Sequence, residues 1–564
     1  MLSSPSSFHT ALESPSSPAP SSMADSTDER GNSLENPQYC QANRVSREIE
    51  DHVKIYFDER MYSHALILLS DVLTSGISHS TTTSKAACIP NPKFLQIAST
   101  LLVHPITTTR AQHDHVEVAS RSITLLRNTL TEIGPKSANL QKAFSFESGR
   151  HARRVYGDGE CDSNSDDDDD IKGIISQNGL WRCAKDFWQI VGWSFNCSVR
   201  YPKRWRYWKV LLEYLLDVLD ADWHERETMD EAAFSAQVNQ NQGNEELSPG
   251  HEMLQDSLLV QYLGVSGQNR NGTAVRRVVK AVFADGSAQS MKAYPEIFEN
   301  ETKDIKKDES QKRKWEDSKD IKEMGFGDFD EEEEGDLASD TSEGQEEVAS
   351  KQSKKGGPTY SSNIGDPDSI RLRQRIITLL SRASATIPQK SMPLRDVYDL
   401  LAEFTVALPI ASFSLLLNIS HTSPFPSVVL VSLIQLLCSR YLPKSAVRPQ
   451  DVEDFKNDTL TQRILEICYL PHCPMTSSIE DNAKYSILVE NLFRLFLTDC
   501  EGLHTPDLDD AIERGISARE KKCKTDGRRK ADAMKKEEEI AKFFLDASSR
   551  RLRSLVDWVE ESSA

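Results

Sequence analysis

The chain has 564 residues, room for several domains, with a formal net charge of -20 and a pI near 5.2. Such a summed field repels other polyanions, so broad binding to nucleic acid or anionic membranes is disfavoured and only a local basic patch escapes that repulsion. No apolar run approaches the roughly 20 residues of a membrane-spanning helix, and the Ser/Pro-rich start has neither the basic nor the apolar part of a secretory signal.

Residues 1–45 are too poor in aromatic side chains to offset the entropy of ordering, which predicts a disordered tail. From 46 to 134 the pattern turns helical. Ile49, Val53, Tyr56 and Phe57, then Ala65, Leu68, Leu69 and Leu73, recur at steps of three and four and close at Gly76. Phe94, Ile97, Leu101 and Leu102 continue the pattern, followed by Val116, Ala119, Ile123, Leu126 and Leu130, with a stop at Gly134-Pro135. Residues 135–180 read as an acidic insert, its five consecutive aspartates at 166–170 kept extended by mutual repulsion.

Residues 181–226 hold six of the eight tryptophans, and their spacing predicts a helical hairpin. Ala184, Phe187, Trp188, Val191 and Phe195 share a face of the first helix, which ends before Tyr201-Pro202 because a residue preceding proline disfavours the α region. Trp205, Trp208, Leu212, Leu215 and Leu219 share a face of the second. Residues 227–300 read as a polar linker with a short helix through Val275, Val278, Val279 and Val282, against which Tyr294 and Phe298 pack.

A charged segment, 301–368, lacks apolar anchors and is predicted to be a disordered acidic insert. Residues 369–505 return to helical spacing at 370–380, 394–408, 428–442, 460–470 and 479–497, punctuated by Pro-bearing loops. The last block, 506–564, reads as a charged helix followed by one that docks through Phe543, Phe544, Ala547, Leu552, Leu555, Val556 and Val559. No period-two strand series is visible. The expected fold is mainly α: an irregular helical array with long acidic inserts, α-solenoid-like in the HEAT or armadillo manner but without their repeat of about 40 to 47 residues.

Chemistry is sparse. Cys468, His472 and Cys473 form a tight cluster, but zinc sites normally pair two such groups and no second accompanies it. The ten scattered cysteines are expected to be reduced, buried thiols. Gly157 and Gly159, like Gly325 and Gly327, lie in acidic loops of the wrong sign for a phosphate. Ser194 lacks the flanking glycines of a nucleophile elbow. No catalytic residue, metal ligand or cofactor is assigned, and an enzyme is not expected.

One stretch has binding character: Arg200, Lys203, Arg204, Arg206 and Lys209 interleave with Tyr201, Trp205, Tyr207 and Trp208, the mixture with which single-strand binders stack bases and track phosphates. Against this, Trp205 and Trp208 align with Leu212 and Leu215, which marks core and is the favoured reading. Basic clusters at Lys306, Lys307, Lys312, Arg313 and Lys314, and at Lys521, Lys522, Arg528, Arg529 and Lys530, suit a nuclear import receptor. Ser163, Ser165, Ser339, Thr341 and Ser342 neighbour acidic runs, as sites for an acid-directed kinase would.

The expectation is a non-enzymatic protein-interaction scaffold or subunit of a nuclear multiprotein complex, with the cytoplasm as the alternative location. Its partners are proteins, basic ones by the sign of the charge, and no membrane. The alternative is a nucleic-acid-associated factor working through 200–209 and the basic C-terminal tail.

Overall fold

The apolar stripe read from 46 to 76 is two helices. α1 (Arg47–Asp58) and α2 (Tyr62–Ile77) break at 59–61, where Arg60 takes a left-handed φ of 61° and turns the chain back. The structure, a computed structural model, describes residues 39–40, 42–77, 87–146, 178–240, 250–264, 272–303, 364–388, 392–420, 423–453, 460–500, 502–523 and 532–563. The predicted tail up to residue 38, the aspartate run 166–170 and residues 304–363 lie outside them.

α3 (Pro92–Val103) starts with a proline, whose missing N–H costs nothing there, and Asn91 caps it by accepting from the Lys93 amide at 3.0 Å. α4 (Val118–Ile133) stops at Gly134, whose φ of 82° would strain any residue with a Cβ. Two short strands, β1 (Ala42–Arg44) and β2 (Ala87–Ile89), pair in parallel. Three residues are too few to show an alternation, so the pattern of residues carries no sign of them.

The tryptophan-rich hairpin forms as its spacing predicts. It comprises α5 (Phe187–Arg200), capped by Asp186, and α6 (Pro202–Gln240), separated by Tyr201. Trp181, Trp188, Trp193, Trp205, Trp208 and Trp223 are all buried. Phe187 stacks on Tyr262 with ring centroids 4.4 Å apart, and the Trp188 indole donates to the Tyr262 carbonyl at 2.7 Å. Gly192 lets Tyr294 lie on α5: a Cβ at that position would sit 2.3 Å from the ring.

The boundary read at 226 is overturned. α6 runs for 39 residues, so 227–240 is helix rather than linker. Its polar side chains are spent on neighbours. Asp230 accepts from the Met253 and Leu254 amides at 2.9 and 3.0 Å, and Asp222 accepts from the Leu258 amide at 2.8 Å. These are first-turn donors of the short helices Glu252–Gln255 and Leu258–Tyr262, which have no acceptor within their own helices. α7 (Gly272–Val282) then packs on α5.

The C-terminal half consists of α8 (Pro367–Thr386), α9 (Leu394–Val406), α10 (Ser427–Tyr441), α11 (Ile479–Asp499), α12 (Pro506–Cys523) and α13 (Asp532–Ser563). A short helix, Ile410–Leu416, and a π-helical turn, Leu465–Tyr469, lie between them. α8 runs along α6, where Arg375 bridges Asp217 and Asp220 at 2.8 and 2.6 Å and Arg382 pairs with Glu227. α13 runs along α11, Arg551 gripping Glu490 through bonds of 2.6 and 2.8 Å.

The described residues from 40 onward therefore form one compact unit around a continuous apolar core. The expected inserts are narrower than their predicted bounds: Phe144 and Trp181 stack in the core, Glu301 and Ile364 are buried, and Asp366 caps α8. Of the described cysteines, Cys197, Cys438 and Cys468 are buried, but Cys500 is exposed, so the thiols are not uniformly interior. Among the described residues no helix is long and apolar enough to cross a membrane.

Candidate functional site

Proline at the first position of α6 fixes where the basic-aromatic stretch begins its helical turn, and the three-to-four spacing then sends its members to different fates. Arg204 points inward and is 2% exposed. Its Nε donates to Glu301 Oε2 at 2.8 Å, Nη1 to Thr108 Oγ1 at 2.8 Å and Nη2 to the Val103 carbonyl at 2.6 Å. The Trp208 indole donates to the same Glu301 oxygen at 3.2 Å, while Glu301 Oε1 accepts from the Ile297 amide at 3.2 Å. Both carboxylate oxygens are thus satisfied, as burial of a charge requires.

Trp205 donates to Asp366 Oδ2 at 2.8 Å, and Lys209 pairs with Asp368 at 2.7 Å. Arg200 is exposed, but its Nε donates to the Gly286 carbonyl at 2.8 Å. Lys203 and Arg206 are exposed. Arg204 is therefore not available to a phosphate backbone, and the two tryptophans are not available to bases. The stretch is a junction: Glu301 and Asp366, which flank residues 304–363 on either side, are held by adjacent residues of one helix.

Electrostatics follow burial. Desolvation pushes the Glu301 carboxyl above its usual range, opposed by the Arg204 guanidinium and the Trp208 indole. Burial, reinforced by the Arg204 and Arg110 charges, pushes His104 down to about 4. Neutral His104 accepts from the Ile106 amide through Nδ1 at 3.2 Å and lies edge-on to Phe298. Arg373 of α8, fully buried, sits 3.9 Å from the Phe195 ring centroid and donates to the Ala284 carbonyl at 2.8 Å.

Sequence reasoning missed Glu301, Asp366 and Asp368 because nothing in a run of carboxylates marks the three that face a partner. Lys306, Lys307, Lys312, Arg313, Lys314, Arg528, Arg529 and Lys530 lie outside the described residues, as do Ser163, Ser165, Ser339, Thr341 and Ser342. Cys468 is buried, and His472 Nε2 lies 3.0 Å from the Ile467 carbonyl.

α13 shows a second feature. Ala541, Leu545, Leu552 and Val559 are its buried apolar positions, with Ser548 and Ser549 buried beside them, whereas Phe543, expected on that docking face, is 63% exposed. At about 100° per residue, Phe543 lies roughly opposite Leu552. Ile540 and Trp558, 42% and 52% exposed, fall with it inside a sector of about 60°. Comparison with protein-family models, curated proteins and solved structures returns no match for the chain.

Proposed function

We propose that the protein is a non-enzymatic scaffold that presents helical surfaces to protein partners, as a subunit of a nuclear multiprotein complex. The observation that carries this reading is the outward face of α13. Single exposed apolar side chains are ordinary, but Ile540, Phe543 and Trp558 share one face among the charged Lys542, Arg550 and Asp557. Large apolar and aromatic anchors at helical spacing on a charged helix suit the helix-in-groove mode of protein recognition. The net charge of -20 favours basic partners by long-range steering.

The finer arrangement belongs to the same proposal. A HEAT- or armadillo-like array is supported by the pairing of α1 with α2, α3 with α4 and α5 with α6, but α5 also meets α7, α6 meets α8 and α11 meets α13, so contacts reach beyond immediate neighbours. Nuclear residence rests on the basic clusters around 306–314 and 521–530. A fluorescent fusion with both neutralised should lose nuclear accumulation.

The principal test is the double variant Phe543→Asp/Trp558→Asp. It should keep the parent melting midpoint and lose partners captured from nuclear extract. An unchanged partner set on the folded variant rejects the surface. The nucleic-acid reading retains the exposed Lys203 and Arg206, and a salt-dependent oligonucleotide shift abolished by reversing both would favour it.

A further inference from the structure

The parallel pairing of β1 and β2 places Arg44 opposite Ile89, so both strands end at the same edge. Each then enters a helix within three residues, α1 at Arg47 and α3 at Pro92. Residues 137–142 close a third side, with Asn139 in the left-handed region at a φ of 51°. Together they bound a cleft of about 520 Å³, within the ordinary size of a small-ligand site.

Its charged lining inverts the sign of the molecule. Arg44, Arg47, Lys54, Lys93 and Lys142 face it from β1, α1, α3 and the 137–142 segment, opposed by Glu50 and Asp51 on α1. Arg44, Arg47 and Lys142 make no ion pair or side-chain hydrogen bond among the described residues. The N-terminus of α1 adds to this field, because Ser46 makes no side-chain bond to the first-turn amides.

We infer that this cleft binds a small anion bearing two or more phosphate groups. Cations converging from separate segments match concentrated charge better than one carboxylate does, and their guanidinium and ammonium groups suit phosphate oxygens. The concavity favours a compact ligand over a nucleic-acid strand. The one aromatic residue of the lining, Phe94, is 5% exposed and packs on Phe57, so no ring is free for a base to stack on.

The test is calorimetric titration of the full chain, without divalent metal, with orthophosphate, pyrophosphate and tripolyphosphate. Tripolyphosphate should bind at one saturable site, more tightly than pyrophosphate and far more tightly than orthophosphate. Arg47→Glu/Lys142→Glu should weaken it by at least about tenfold, the worth of one charge-assisted contact. The control Lys203→Glu/Arg206→Glu, outside the cleft, should leave it unchanged. If the double reversal fails to fold, Arg47→Gln and Lys142→Gln, each with the parent melting curve, should each weaken binding several-fold.

Absence of saturation, or equal losses in the cleft and control variants, would overturn the site. Tighter, cleft-dependent binding of a single-stranded oligonucleotide than of tripolyphosphate would overturn the small-ligand assignment.

Discussion

The stretch 200–209 gathers five basic residues within ten positions, whereas the N-terminal cleft draws five from positions as far apart as 44 and 142. In the first, Arg204 is sealed on Glu301, Lys209 is paired with Asp368, Arg200, though exposed, holds a backbone carbonyl, and Lys203 and Arg206 are left to solvent. In the second, Arg44, Arg47 and Lys142 face a concave space without a partner among the described residues. Density of charge along a chain says little about what solvent or ligand can reach. Convergence does, and convergence is a property of the packed structure.

The sharpest way to break this comparison is to cut into the junction. Trp208→Ala removes a buried ring and a donor to Glu301, and Arg204→Ala leaves Glu301 buried without its counter-charge. Each should cost about 3 to 5 kcal/mol of stability. Because both act on Glu301, the double variant should cost less than the sum. Urea denaturation midpoints give the answer, and a loss below about 1 kcal/mol for Arg204→Ala would mean the pair is solvated, not sealed.

Acid should open the same region next. His104 is depressed to about 4 in the folded protein and returns to about 6.5 on unfolding, so the unfolded chain binds the proton more readily between those values. Its contribution is present above pH 6.5 and lost as pH falls towards 4. Glu301, shifted upward, acts with the opposite sign and gains from protonation in the folded state. Substituting His104→Asn keeps an acceptor for the Ile106 amide and removes the titration. Parent and variant should show similar stability at pH 7.5, after allowance for packing, and the parent should lose about 2 to 3 kcal/mol more than the variant on transfer to pH 4.5.

A smaller effect is expected from the segment between the pinned ends. Glu301 and Asp366 sit on the neighbouring residues Arg204 and Trp205, so replacing 304–363 with a short Gly/Ser linker closes a loop whose ends are already held together. The cost should stay within about 1 kcal/mol, since loop-closure entropy changes slowly with length. A large drop in melting midpoint would show that 304–363 contributes packing of its own.

The smallest changes separate the two basic regions most directly. Arg206→Ala in the junction and Arg47→Gln in the cleft should each shift stability by no more than about 0.5 kcal/mol, as exposed substitutions usually do. Only the second should alter phosphate binding. Equal effects on binding would remove the distinction between the regions.

Local patterns settled much of this protein. The tryptophan stripe at 205, 208, 212 and 215, the stop before Pro202 and the break at Gly134 follow from helical periodicity and from backbone limits that act within a few residues. The same locality explains the misses. Polar residues 227–240 looked like a linker because no apolar stripe marks them, yet α6 continues there, its carboxylates at 222 and 230 capping helices that begin more than twenty residues later. Phe543 fits a plausible stripe in sequence and still points outward, because α11 meets the opposite side of α13. The partners of Arg204 and the cations around the cleft come from segments about 40 to 100 residues apart. A helical period fixes which face a residue occupies, but which face meets water, core or a cleft is decided by the burial of the whole apolar surface at once, and that only the tertiary structure supplies.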